Sequence, residues 1–237
     1  MTKIAKKNFL FGLSAAVLLS ASLTLAYFTA TDAVTNSLAS KTFDIMLTEQ
    51  HWNPEKAKDI TPEEILEKDP KIINSAEVDA YVFLKVTVPY LPNTVPEYNS
   101  GTEKGADMSR QTNVPLFKFI AGTDMDTGFT TNQAVYSDYW TLLDGYPTID
   151  ADNLLLTYVY AYTNSDGTLR VLEDGTQTTK PLFDKIKVIN FEESAYLEGK
   201  NYNVKVDAYG IQTEYILENA ESSNSPVAVW NILQNMN

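Results

Sequence analysis

The sequence predicts an all-β chain folded as an antiparallel β-sandwich, jelly-roll-like as first choice and immunoglobulin-like as second, with few short helices. Three observations carry that expectation. Apolar and polar residues alternate with period two along many segments, the mark of strands with one buried face. Asp166-Gly167 and Asp174-Gly175 punctuate them, and Asp-Gly suits a hairpin turn because glycine accepts positive φ. Aromatic residues are plentiful, at 14 Tyr, 10 Phe and 3 Trp, and such side chains fit a pleated, half-buried surface.

In chain order, Phe43, Ile45 and Leu47 alternate with Asp44, Met46 and Thr48. Thr61-Pro62-Glu63-Glu64 has the spacing of a helix capping box, but Pro70 follows so soon that an extended stretch suits equally. The clearest strand covers residues 80–88, with Ala80, Val82, Leu84, Val86 and Val88 on one face and Tyr81, Phe83, Lys85 and Thr87 on the other. Residues 89–114 hold Pro89, Pro92, Pro96, Gly101 and Gly105 with little periodicity, and are expected to form a long surface loop. Residues 116–120 and 186–189 are shorter strand candidates. Residues 154–162 are apolar on both faces, as in a central strand. The segment 202–208 alternates again, with Lys205 and Asp207 outward. Ser225-Pro226 is placed to open a final helix over 227–236, with Val227, Trp230 and Leu233 on one side. No internal repeat is visible.

The first 26 residues differ from the rest. Lys3, Lys6 and Lys7 precede a charge-free apolar run over residues 9–26, the layout of a secretory signal peptide. Small residues at Thr24 and Ala26 place cleavage between Ala26 and Tyr27, leaving no stable membrane anchor. The remainder carries 15 basic and 31 acidic residues, net −16. That acidity excludes nucleic acid as a partner, since phosphate binding needs a basic face, and disfavours docking on an anionic membrane. The expected layout is a signal peptide at 1–26, an N-terminal segment at 27–40 and one β-sandwich domain at 41–237.

Chemistry-bearing motifs are sparse. There is no cysteine, which excludes disulfides, thiolate catalysis and thiolate zinc sites. His51 is the sole histidine, so a paired-histidine zinc helix cannot form, and beside Trp52 it reads as a surface or packing residue. No nucleophile elbow or phosphate-cradling loop is present. The run from Gly122 to Gly128 holds Asp124 and Asp126 but lacks the other oxygen ligands of a calcium loop, and reads as a turn. Glu192-Glu193 reads as two solvated acids. Tyr158, Tyr160 and Tyr162 share one face of a strand, either as core packing or as a stacking platform for sugars or a partner strand. No catalytic residue, metal site or cofactor is implied.

Several segments resemble a known family. Leu25-Ala26-Tyr27-Phe28-Thr29 is similar to the leaders cut by the signal peptidase SipW, and Phe43-Asp44-Ile45-Met46-Leu47 follows. Glu67-Lys68-Asp69-Pro70-Lys71-Ile72-Ile73-Asn74 then leads into the strand at 80–86. Thr179-Lys180-Pro181-Leu182-Phe183 and Val206-Asp207-Ala208-Tyr209-Gly210-Ile211-Gln212 come later. Together they resemble the TasA/camelysin-like group, SipW-dependent exported proteins of Gram-positive bacteria. The resemblance implies a non-enzymatic, secreted subunit of surface fibres or biofilm matrix, joining copies of itself or a related matrix protein by donor-strand complementation. It makes 27–40 the candidate donor strand, with Phe28, Val34 and Leu38 as the apolar residues to be buried. A monomeric adhesin or carbohydrate-binding module is the alternative. A camelysin-like metallopeptidase is a third, for which this chain offers no zinc constellation.

Overall fold

The computed structural model describes residues 30–31, 43–53, 60–96, 109–191, 202–214, 216 and 225–236. All strand pairings among them are antiparallel, as the alternating pattern requires. The strands are β1 (Ala30–Thr31), β2 (Ile45–Thr48), β3 (Ile65–Glu67), β4 (Lys71–Asn74), β5 (Ala80–Pro96), β6 (Ser109–Pro115), β7 (Phe117–Ala121) and β8 (Asp124–Met125). They continue as β9 (Trp140–Leu142), β10 (Thr148–Asp150), β11 (Leu155–Tyr162), β12 (Gln177–Thr178), β13 (Lys185–Val188) and β14 (Lys205–Gln212). The helix α1 (Pro226–Met236) comes last.

The main layer has the order β1-β14-β5-β11-β10, with β9 also on the outer side of β11. β5 is its spine: Ala80–Phe83 and onward pair with β14 on one side, and Phe83–Pro89 with β11 on the other. The second layer comprises two sheets, β12-β4-β2 and β3-β13-β7-β8. Backbone bonds join them: Thr179 N to Ile72 O, Leu182 N to Pro70 O and Lys68 N to Asp184 O. Residues 65–74 and 177–188 therefore run as one long irregular ribbon.

The two layers close on one core. Val82, Leu84, Val86 and Val88 are each 0% exposed and meet Ile45, Ile72, Phe117, Phe119 and Ile186 of the other layer in one cluster. The opposite face of β5 is buried too. Tyr81 and Phe83 pack with Val159, Ile211 and the α1 residues Val229, Trp230 and Leu233. Trp230 anchors the helix, 5.5 Å from the Phe83 ring and 5.1 Å from the Tyr209 ring, its indole N–H donating to the Tyr146 hydroxyl at 3.1 Å. Ser225 caps α1, its oxygen accepting from Ala228 N, and Pro226 fills the first helical position where no N–H is needed.

Two expectations are corrected. Residues 90–96 and 109–115 are not loop: β5 runs on through Tyr90–Pro96 and pairs with β6, burying Leu91, Val95 and Val114. The prolines misled because this part of β5 has one partner strand, so a missing N–H can face away from the ladder. Residues 97–108 lie outside the described residues. The strand expected at 202–208 instead spans Lys205–Gln212. Gly210 is no strand end. A Cβ there would lie 3.0 Å from Ile45 Cδ1 and 3.1 Å from Phe43 Cζ, so glycine permits the close approach of β2. At Thr61 the capping contact forms, with Glu64 Oε2 accepting from Thr61 N at 2.9 Å, but it closes a turn before β3, not a helix.

Trp230→Ala should lower stability by about 3–5 kcal/mol, measured by urea unfolding, while keeping most strand signal in circular dichroism. Gly210→Val should cost about 1–3 kcal/mol by overpacking Ile45 and Phe43, read in the same assay.

Candidate functional site

The feature best placed for a function of assembly is the edge of the main sheet at β14. Along its inner side β14 pairs with β5 from Lys205 to Gln212. Along its outer side β1 meets it at two positions, Ala30 opposite Gly210 and Thr31 opposite Tyr209. The rest of that outer side has no strand partner among the described residues. Where no strand covers it, an edge offers its N–H and C=O groups to an extended chain. The second layer reaches the same flank, since Phe43 and Ile45 lie across Gly210. The flank is thus a seam where both layers end, with Ala208 and Ile45 buried in it. Ala26, Tyr27, Phe28, Val34 and Leu38 lie outside the described residues.

His51 pairs with Asp69. Its Nδ1 is 2.9 Å from Asp69 Oδ2, and its backbone N–H donates to Asp69 Oδ1 at 3.0 Å, while the ring is 65% exposed. Asp69 also accepts from Lys71 Nζ at 2.9 Å. Burial raises the Asp69 pKa, but the hydrogen bonds from Lys71 and His51 outweigh it and hold the carboxyl below its ordinary 3.8. Next to it the buried Lys68 ammonium meets Glu49 at 2.7 Å and lies 4.3 Å from the centre of the Trp52 ring. These groups staple the 49–53 turn to residues 68–71.

The run from Gly122 to Gly128 holds a cation of its own making. Lys118 Nζ, buried in β7, donates to Asp126 Oδ1 at 2.9 Å, Thr130 O at 2.8 Å and Asn132 O at 2.9 Å. Asp126 Oδ1 also accepts from Gly128 N at 3.0 Å. Burial lowers the Lys118 pKa against the opposing pull of Asp126. Among the described residues no group of three or more metal-ligating side chains converges. Glu192 and Glu193 lie outside the described residues.

Tyr158, Tyr160 and Tyr162 are 1%, 2% and 6% exposed and belong to the inter-layer core. The stacking-platform alternative is overturned, because their ring faces are spent on each other and on Phe119 and Trp140. Sequence reasoning missed two polar hubs. Asn74, 0% exposed, donates to Val78 O, Leu172 O and Glu173 O and accepts from Ala76 N. Lys118 was hidden inside an apolar run. The signal available was a polar residue standing at a position where alternation demands burial.

No protein-family model, no curated protein and no solved structure matches the chain. Among the described residues no helix is long and apolar enough to cross a membrane.

Lys118→Met should cost about 2–3 kcal/mol in urea unfolding, because Asp126 and two carbonyls lose their donor. The lowered Asp69 pKa sets a pH dependence. Its contribution is complete above 3.8 and is lost as pH falls through the lower folded-state value. Asp69→Asn should remove that part of the acid transition, measured as unfolding free energy against pH.

Proposed function

We propose that this chain is a secreted structural protein, a subunit of cell-surface fibres or biofilm matrix that assembles by donor-strand complementation. The observation that carries this reading is the register of β1 on β14. Ala30 stands opposite Gly210 and Thr31 opposite Tyr209. An antiparallel strand extended in that register brings residue 28 opposite Gln212, 34 opposite Val206 and 38 opposite Tyr202. Those partners lie in the same alternating row as Ala208, which faces the inter-layer core. The three apolar residues singled out for donation, Phe28, Val34 and Leu38, thus share one face of such a strand, and that face matches the seam.

The physical logic is that of strand addition. Main-chain hydrogen bonds complete the ladder and alternate side chains fill the row between the layers. The same segment serves its own β14 in a monomer or a neighbour's in a fibre, an exchange of identical elements with little change in contacts. Export with a SipW-type leader places this exchange outside the cell. No catalytic role is proposed. The acidic surface keeps free subunits soluble until strand exchange occurs.

Protein spanning residues 27–237 should form filaments in negative stain, and protein spanning 41–237 should stay monomeric in light scattering. A synthetic peptide of residues 27–40 should bind the shorter form and raise its melting temperature. Val34→Asp in the longer form should abolish filaments. Filaments from the shorter form, or none from the longer at high concentration, would count against donor-strand assembly.

A further inference from the structure

On the flank of the main sheet away from β14, a cleft of about 480 Å³ opens beside β11. Its walls come from residues 131–137, from residues 140–147, and from Tyr158 and Tyr160. The volume falls in the range of about 300–1,000 Å³ usual for small-molecule sites. Three properties of the walls narrow what fits.

First, among the described residues no charged side chain lines the cleft, in a chain with 49 charged residues. Phosphate or carboxylate would find no cation there, and a metal or ammonium ion no carboxylate. Second, the polar wall is already fixed. The Tyr158 hydroxyl donates to Thr131 O at 2.6 Å and accepts from Gln133 Nε2 at 3.2 Å. Gln133 in turn accepts from Phe119 N at 2.8 Å. Thr141 shares a 2.8 Å hydrogen bond with Thr163, and Trp140 Nε1 is held by Lys180 O and Pro181 O. A site so braced needs little ordering when a ligand enters.

Third, one group is left over. Tyr160 is 2% exposed, yet its hydroxyl has no hydrogen-bond partner among the described residues and is not among the polar atoms sealed from solvent without one. It is reached from the cleft it lines. Burial keeps the phenol well above its usual pKa, so it is a neutral donor and acceptor. That hydroxyl is therefore open, as donor and as acceptor, to whatever fills the cleft, water or ligand.

We propose that this cleft is a binding site for a neutral carbohydrate, with the Tyr160 hydroxyl as its deepest polar contact and Ser137 and Asn132 at its mouth. A sugar ring offers hydroxyls to Tyr160 and Ser137 and C–H surfaces to Val135, Leu142 and Pro147. An extended peptide suits it less well. Strand addition needs free backbone groups, and here Leu143 N and Tyr146 N are already bonded, to Val159 O and Leu143 O.

The test uses protein spanning residues 27–237 on an array of neutral and anionic oligosaccharides, with the best neutral hit titrated by calorimetry. Binding to a neutral oligosaccharide, insensitive to salt, is expected. Tyr160→Phe removes only the unpaired hydroxyl, so its melting temperature should hold or rise while affinity falls roughly tenfold. Ser137→Trp, at an exposed position on the rim, should block binding with the fold intact, and it decides the matter if Tyr160→Phe folds poorly. The assignment is overturned if no neutral oligosaccharide binds at millimolar concentration, if only anionic glycans or extended peptides bind, or if Ser137→Trp binds as well as the parent. Filament formation is read separately, since the cleft and the β14 seam lie on opposite flanks.

Discussion

The antiparallel ladder along β5 is the interaction on which the rest of this molecule depends. One strand pairs over eight positions with β14 and over seven with β11. Its pleat then sends Val82, Leu84, Val86 and Val88 into the space between the layers, and Tyr81 and Phe83 toward α1. Burial on both faces makes β5 the structural centre in both directions. Each fully buried aliphatic side chain in that row contributes about 1.5–3 kcal/mol of transfer free energy. A strand held this firmly fixes the register of its neighbours, because a one-residue slip would turn every side chain to the wrong face.

A chain without cysteine has to hold its irregular connections by other means, and here it does so with buried polar groups. Lys68 with Glu49, Asp69 with His51 and Lys71, Asn74 with three carbonyls, and Lys118 with Asp126 and two carbonyls each fasten a loop to a strand. A buried charge or amide is tolerable only when fully partnered, which makes such a site selective for one loop geometry. Four of these residues, Lys68, Asp69, Lys71 and Asn74, fall in the segment 67–74. Its polar residues act as fasteners of the ribbon that joins the two halves of the second layer.

The main sheet ends differently on its two flanks. At β14 both layers terminate together, the ladder is largely open among the described residues, and the chain's own β1 begins to fill it. At β11 the sheet is closed by two short strands, β9 and β10, with a neutral cleft beside them. An open ladder invites a strand, whereas a braced cleft suits a small molecule. The proposed assembly through the first would leave the second free, so each subunit of the proposed fibre would present a cleft.

Period-two alternation in the sequence determined the all-β class and the strand at 80–88, the double-sided apolar run at 154–162 determined the central strand there, and Ser225-Pro226 with helical spacing determined the terminal helix with Trp230 inward, because those patterns are local and each residue reports its own face. Asp-Gly pairs determined their turns for the same reason: Gly167 and Gly175 do adopt φ of 82° and 77°. Tertiary structure alone decided the rest. Whether a proline-rich stretch pairs as an edge ribbon depends on which side its partner lies. Whether Gly210 ends a strand or admits Ile45 depends on the layer across from it. The seam at β14 and the free hydroxyl of Tyr160 follow from where sheets end and which neighbours are spent, and no single segment of sequence encodes a distance to residues a hundred positions away.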